Sequence, residues 1–254
     1  SDCHIGNHLV HGGPLVAGVN NRCKETLDVL GCAVRLALDS GASRLIVAGD
    51  LLDGMRPPPQ VLAATITALA RVGTSYLYHR MSIDIIPGNH DRNSGVPGDH
   101  ALGVFGHVPG ISVWDSPHAI MADDCAIGFV PFRADPLPVE RWLPTVVAGM
   151  FKEVSCAKRV LVMHQGIKDG TMPPWMREAG DAIHVEALGG ICAEQGIGLV
   201  LAGHWHAHKT WEWASGKKQV KIIQIGALCP TGFDDAGFDY GGVILWNTET
   251  GMFK

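Results

Sequence analysis

The sequence predicts an α/β protein built on a layered sheet, and three observations carry that prediction. Amphipathic stretches alternate with short apolar runs, the pattern of a sheet covered by helices. The runs Arg44–Ala48, Ser82–Ile86, Lys158–Met163 and Gly198–Ala202 are mostly apolar, as parallel strands buried on both faces are. Each run leads into residues with oxygen or nitrogen donors: Asp50, then Asn89 and His90, then His164, then His204 and His206. In open α/β sheets, ligands sit in the crevice beyond the carboxyl ends of the strands.

Taken in order, residues 20–41 place Cys23, Leu27, Leu30, Val34 and Leu38 at three- and four-residue steps, which predicts a helix with one apolar face. Gly41 stands where a glycine ends such a helix. The strand Arg44–Ala48 follows. Pro57–Pro59 open a second helix, continued over Val61–Val72 by Leu62, Ile66, Leu69 and Ala70. After the strand Ser82–Ile86, Gly110–Phe129 reads as short strands with a hairpin around Asp123 and Asp124. Pro138–Val154 reads as a helix with an irregular start, and Ile183–Glu194 as a further helix. Lys209–Trp213, Gln219–Ile225 and Gly242–Trp246 read as antiparallel strands. Segments 93–110 and 166–181, rich in Gly and Pro, read as loops, and loops that long in a compact domain are often functional. With no linker, repeat or low-complexity tract, residues 1–254 read as a single domain.

Hydrophobic residues make up 46% of the chain and charged residues 18%, which excludes a disordered chain. The net charge of −5 offers no general basic face for nucleic acid, although a bound metal pair would supply local positive charge. Seven scattered cysteines without a C-x-x-C pair exclude a zinc–thiolate site and predict free thiols in a reducing cytoplasm. No apolar run reaches the ~20 residues of a membrane span.

Single pieces of the donor set are weak. A lone Asp2-Cys3-His4 is ordinarily chance, Gly49-Asp50 a turn, and His164 a hydrogen-bonded histidine at a core edge. Gly203-His204-Trp205-His206 is stronger, because alternate residues of an extended segment face the same way. So is Gly88-Asn89-His90-Asp91, which follows a strand directly. Their joint occurrence at successive strand ends points to one metal-binding edge.

The order D-C-H at 2–4, G-D-L-L-D at 49–53, G-N-H-D at 88–91, a lone His164 and G-H-W-H at 203–206 resembles the calcineurin-like metallophosphoesterase superfamily. The resemblance spans residues 2–206 and implies a four-layer α/β/β/α sandwich with the site at its top edge. It implies that Asp2, His4 and His206 hold one metal, that Asn89, His164 and His204 hold a second, and that Asp50 bridges them. His90 would serve as a non-ligating proton donor or phosphate clamp. The chemistry requires such residues: two cations about 3.5–4 Å apart neutralise an anionic phosphodiester and align its attacking and leaving oxygens. Oxygen and nitrogen donors without thiolate suit Mn²⁺, Fe or Zn²⁺ rather than copper, with Mg²⁺ also compatible.

Protein phosphatases of this superfamily carry an Arg after the second Asp of G-D-x-V-D-R-G, where this chain has Gly54. The opening S-D-C-H-I-G, V-A-G-D-L-L-D before a proline run, and P-G-N-H-D look instead like the nuclease subunit of SbcD-type DNA repair exonucleases, including phage-encoded relatives. The segment 226–233 sits where such nucleases have a small-residue loop. That resemblance implies Mn²⁺-dependent cleavage of DNA phosphodiesters and an ATPase partner subunit. With the sequence stopping at Lys254, the downstream DNA-capping region of such a nuclease is expected to be absent or reduced, and the charge is negative. Phosphodiesterase or phosphatase activity on small substrates such as cyclic nucleotides therefore stays open, as does a non-catalytic metal-binding scaffold.

Arg92, Arg133, His8 and His11 offer substrate contacts, against the plainer reading of solvated surface groups. Asp53 matches a position that supports the site. His208 continues the alternation after His206, and Trp175 offers a stacking surface or a loop anchor. Only Ser1 precedes Asp2, so an apolar run of about five residues is expected ahead of it, supplying the strand that would position Asp2 and His4.

Overall fold

The computed structural model describes residues 1–9, 12–70, 81–92, 94, 96–231 and 242–253. A short hairpin, β1 (Leu15–Val16) and β2 (Val19–Asn20), leads into helix α1 (Asn21–Asp39). The Asn20 side chain accepts the Cys23 N–H at 2.9 Å and so caps the helix start. Gly41, at φ 71°, takes the left-handed turn just past its end, as expected. The buried stripe is Cys23, Thr26, Leu30, Ala33, Val34 and Ala37, so the face is turned slightly from the expected one and Leu27 and Leu38 sit at its margin.

Strand β3 (Arg44–Ala48), helix α2 (Pro59–Ala70), strand β4 (Ser82–Ile86), a 3-10 turn (Ala101–His107) and strand β5 (Ile111–Val113) follow. β3, β4 and β5 form a parallel three-stranded sheet in that order. Next come β6 (His118–Ala122), β7 (Cys125–Val130), α3 (Val139–Met150), β8 (Arg159–His164), β9 (Gly166–Lys168), the single turn α4 (Pro174–Arg177), β10 (Ala182–His184), α5 (Val185–Glu194), β11 (Ile197–Gly203), β12 (Lys209–Ser215) and β13 (Lys218–Gln224). Six of these strands form the second sheet, ordered β12-β13-β11-β8-β7-β6, with a parallel centre and antiparallel edge strands β12 and β6.

Three hydrophobic clusters define the layers. Ile86 and Ala48 of the small sheet meet Ile127, Phe129, Val160, Val162 and Ile223 of the large one, giving a core between the sheets. Helices α1 and α2 cover the outer face of the small sheet through Leu30, Val34, Val61 and Leu69. Helices α3 and α5 cover the large one through Leu143, Val147, Leu188 and Cys192. This is the expected α/β/β/α order.

Several sequence expectations are corrected. Ala182–His184 is not the start of a helix but strand β10, which pairs in parallel with β9. The helix begins at Val185, where the His184 ring accepts the Glu186 N–H at 3.4 Å. Segments 93–110 and 166–181 contain the 3-10 turn, β9 and α4 where loops were expected. Gly242–Trp246 is no sheet strand: Trp246 makes one isolated bridge, to Phe253, and stacks on its ring. Residues 71–72 of the expected second helix lie outside the described residues, as do residues 232–233 of the small-residue segment.

The opening is held by backbone bonds to the segment after β3. Asp2 N–H donates to Gly49, Cys3 and His4 N–H both donate to Asp50, and Ile5 N–H donates to Leu51, all within 2.8–3.0 Å. These bonds set Asp2 and His4 beside Asp50. Beside Ser1, an apolar cavity of about 1020 Å³ lies between the sheets, lined by Leu45, Val47, Val160, Val162 and Leu201. Among the described residues β3 ladders only with β4, and Arg44–Ala48 line the cavity.

Candidate metal centre

The carboxyl ends of β3, β4, β8 and β11 converge with the opening segment, and they bring the expected donors together. Asp2, His4 and His206 offer donor atoms mutually within 4.8 Å, as do Asp2, Asp50 and His164. Asp50 Oδ2 lies 3.2 Å from His164 Nε2 and 3.7 Å from His4 Nε2, between the two groups. Asn89 Oδ1 is 3.3 Å from His164 Nε2 and 2.9 Å from His204 Nδ1. His4 Nε2 and His206 Nε2 approach to 3.2 Å. Asp2, His4, Asp50 and His164 are all nearly inaccessible to solvent.

Tight turns make this convergence possible. Six non-glycine residues take positive φ among the described residues, and four of them are Asp2, His4, Asp50 and His204. Such conformations are costly for L-residues and tend to gather at functional sites. The glycines ahead of the donors are needed for close approach. A Cβ on Gly88 would lie 2.0 Å from Asp50 Oδ1, and one on Gly49 would lie 1.9 Å from His164 Nδ1.

The imidazoles are held from outside. His164 Nδ1–H donates to the Ala48 carbonyl at 2.7 Å. His206 Nδ1 is 3.2 Å from Thr231 Oγ1, and His4 Nδ1 lies 3.7 Å from Asp53 Oδ1. His204 Nε2 is 3.1 Å from Asp181 Oδ2. One nitrogen of each ring is therefore engaged, and the other faces the cluster. Lone pairs on imidazole and amide oxygen, with two carboxylates among them, fit a pair of divalent cations.

The charges are strongly coupled. Burial opposes the charge on Asp50, but His164, His4 and His90 outweigh it and hold the carboxyl well below the usual carboxylate range. Burial likewise pulls the His164 imidazole down, yet the Asp50 and Asp2 carboxylates raise it to about 9. Asp91, fully buried, is pushed up to about 7 by burial and by Asp50, against the pull of N–H groups from Gly88 and Leu52.

His90 is exposed at the edge of the cluster, its ring 4.5 Å from that of His4, and its Nδ1–H donates to the Asp53 carbonyl at 3.1 Å. His8 also sits here, with Nε2 3.0 Å from the His4 carbonyl and Nδ1 3.5 Å from Asp53 Oδ2. Arg92 is a correction. It is buried, and its two Nη groups donate at 2.6 Å to the Phe132 and Asp115 carbonyls, so it braces the wall of the site where a solvated or substrate-facing side chain was expected. Arg133 is turned to Asp135 and lies over the Trp142 ring. His208 bonds the Ile225 carbonyl, and Trp175 stands 71% exposed on α4. His11 lies outside the described residues.

Sequence reasoning missed Asp181, Thr231 and Phe132, whose ring lies 5.4 Å from that of His204. None belongs to a spaced motif, so only their approach in space marks them. Among the described residues, the Gln165 Oε1 atom next to His164 is buried without a hydrogen-bond partner.

Comparison with curated proteins returns no match. Among solved structures, a purple acid phosphatase from yellow lupin seeds is similar at TM-score 0.50 and 11% identity, over 79% of this chain and 39% of that one. This chain thus spans well under half of the lupin chain. A putative 5'-nucleotidase from Staphylococcus aureus gives 0.48 at 18% identity, over 89% and 47%. A dimetal phosphatase from Danio rerio gives 0.49 at 11% identity, over 80% and 78%. The lupin likeness supports the layered fold alone. The model of the calcineurin-like phosphoesterase family matches residues 1–208, most of the chain and every donor of the centre, and the protein belongs to that family.

Proposed function

We propose that this phosphoesterase is a two-metal phosphodiester hydrolase acting on DNA in the manner of SbcD-type nucleases. Asp2, His4 and His206 would hold one divalent ion, Asn89, His164 and His204 the other, with Asp50 between them. The observation that carries the two-metal reading is the place of Asp50 Oδ2, within 3.7 Å of an imidazole nitrogen from each group. When bound, the two ions supply charge neutralisation and Lewis acidity to an anionic ester. The protein's own groups do the rest. Outer partners orient the imidazoles, and buried Asp50 keeps its charge. His90 gives its Nδ1–H to the Asp53 carbonyl, and in its doubly protonated form it carries a second proton on Nε2, which passes to the leaving oxygen and leaves a neutral ring.

Support for a nucleic-acid substrate comes from the sequence resemblance at residues 1–6, 47–53 and 87–91, and Gly54 in place of an arginine argues against a protein phosphatase. In this reading Mn²⁺ is the working metal, and an ATPase subunit is the partner. The seven free cysteines support a cytoplasmic location, and no helix among the described residues is long and apolar enough to cross a membrane. A second reading, hydrolysis of small phosphoesters such as cyclic nucleotides, is favoured by the net charge of −5, which repels a polyanion.

The test adds Mn²⁺ to metal-free protein with bis-p-nitrophenyl phosphate, p-nitrophenyl phosphate, a cyclic nucleotide, and labelled single- and double-stranded DNA. Metal-dependent loss of DNA is expected. Turnover of small esters with DNA intact would favour the second reading. In the same assay His90→Ala should keep both metals and lose about 10²–10⁴-fold in turnover, the usual worth of a general acid or base. Loss of metal from that variant would show His90 to be a ligand.

A further inference from the structure

We infer that Asp181 is a positioning residue for His204, so that the segment ahead of β10 sets occupancy of the second cation position separately from the first. The inference rests on the two-metal reading above. His204 Nε2 is 3.1 Å from Asp181 Oδ2, and its Nδ1 is 2.9 Å from Asn89 Oδ1. A carboxylate only accepts, so Nε2 keeps a proton; the Asn89 oxygen also only accepts, so a cation displaces any proton from Nδ1 and takes the lone pair there. That lone pair is directed to the side where His164 Nε2 meets the same Asn89 oxygen at 3.3 Å. Asp181 thereby chooses which nitrogen of His204 is left for a cation.

Asp181 is placed by structure that no motif announces. β9 starts two residues after His164, and its partner strand β10 starts one residue after Asp181. Gly166 pairs with Ala182, and its N–H donates to the Asp181 carbonyl at 3.3 Å. Lys168 Nζ donates to the Ala179 carbonyl at 3.0 Å and ties down the approach. One short parallel pair therefore joins the segment that follows the ligand His164 to the segment that carries Asp181. Its reach is limited to the second position. His206, in the first group, is met by Thr231, and His4 by Asp53. A carboxylate behind an imidazole fixes ring orientation and raises ligand basicity, and losing such a partner typically costs about 10–100-fold in metal affinity.

The test titrates metal-free wild type, Asp181→Ala and Asp181→Glu with Mn²⁺ by calorimetry, and with Co²⁺ by visible absorption. Melting curves serve as the check on folding; the Asp181 side chain is 40% exposed, so its loss should spare the core. In wild type two ions bind. In Asp181→Ala one binding step weakens by about 10–100-fold, the other stays, and the Co²⁺ spectrum loses one component at stoichiometric metal. Asp181→Glu recovers part of the affinity. Two ions bound by wild type with both affinities unchanged in Asp181→Ala would overturn the inference alone. So would equal weakening of both steps together with a lowered melting temperature, the mark of a merely structural role. Fewer than two ions in wild type would overturn the two-metal reading, and the inference with it.

Discussion

His164 shows how much of the centre is decided by a single side chain. It is fully buried, with Nδ1–H on the Ala48 carbonyl and Nε2 toward Asp50. In the metal-free protein those neighbours raise it from the ordinary 6.5 to about 9. Its proton therefore stabilises the fold fully below pH 6.5, and that contribution is lost as pH rises through about 9. Melting temperature of metal-free protein should fall across this window, and His164→Gln should flatten the slope. A slope unchanged in the variant would assign the proton elsewhere. Cation binding must displace the same proton, so affinity should rise with pH over that range. The identity of His164 was legible in the sequence because it ends an apolar run. The partners that hold the imidazoles, Asp181 and Thr231, were not, because a hydrogen-bond partner carries no required spacing. Arg92 was misread for the converse reason: its place after G-N-H-D says nothing about the carbonyls waiting for it.

Between the elements, the loops after β3 and β4 act as one piece through Asp91. Its carboxylate accepts N–H groups from Gly88 and Leu52 at 2.9 Å and from Leu51 at 3.3 Å. Asp50 sits in the first of these loops and Asn89 in the second, so Asp91 sets their spacing. In Asp91→Asn the amide NH₂ would face at least one of these buried donors. We expect a loss of about 1–3 kcal/mol in denaturant unfolding, the penalty of an unsatisfied buried group, together with weaker metal binding. Unchanged stability would show that the loops are held by other bonds. The strands leading to Asp50, Asn89, His164 and His204 were readable because their runs stay mostly apolar, and β4 and β8 are buried along nearly their whole length. β10 was not, since Ala182–His184 is only three residues long and is a strand only because β9 is there to pair with it. Gly242–Trp246 has strand-like residues but no sheet partner among the described residues. Pairing, unlike helix periodicity, is a property of two segments at once.

Over the whole molecule, four covered layers place every donor at one edge of a rigid sandwich. The alternation of helices and strands made a layered α/β sheet legible, the four-layer order came from the family resemblance, and the family relationship agrees with both. The two-sheet division was less legible, because no local pattern tells a strand which sheet it joins; Phe129 and Ile86 meet across the gap although they lie in separate sheets. Among the described residues the same division leaves β3 with one laddered side, and the cavity of about 1020 Å³ beside it is floored by Val160 and Val162. An edge of this kind is a template for another strand. Ser1 lines that cavity, and Asp2 and His4 follow it directly. Asp2 N–H bonds the Gly49 carbonyl just past β3, so whatever packs against the open side of β3 is coupled, through a single backbone bond, to the way Asp2 and His4 are presented to a cation.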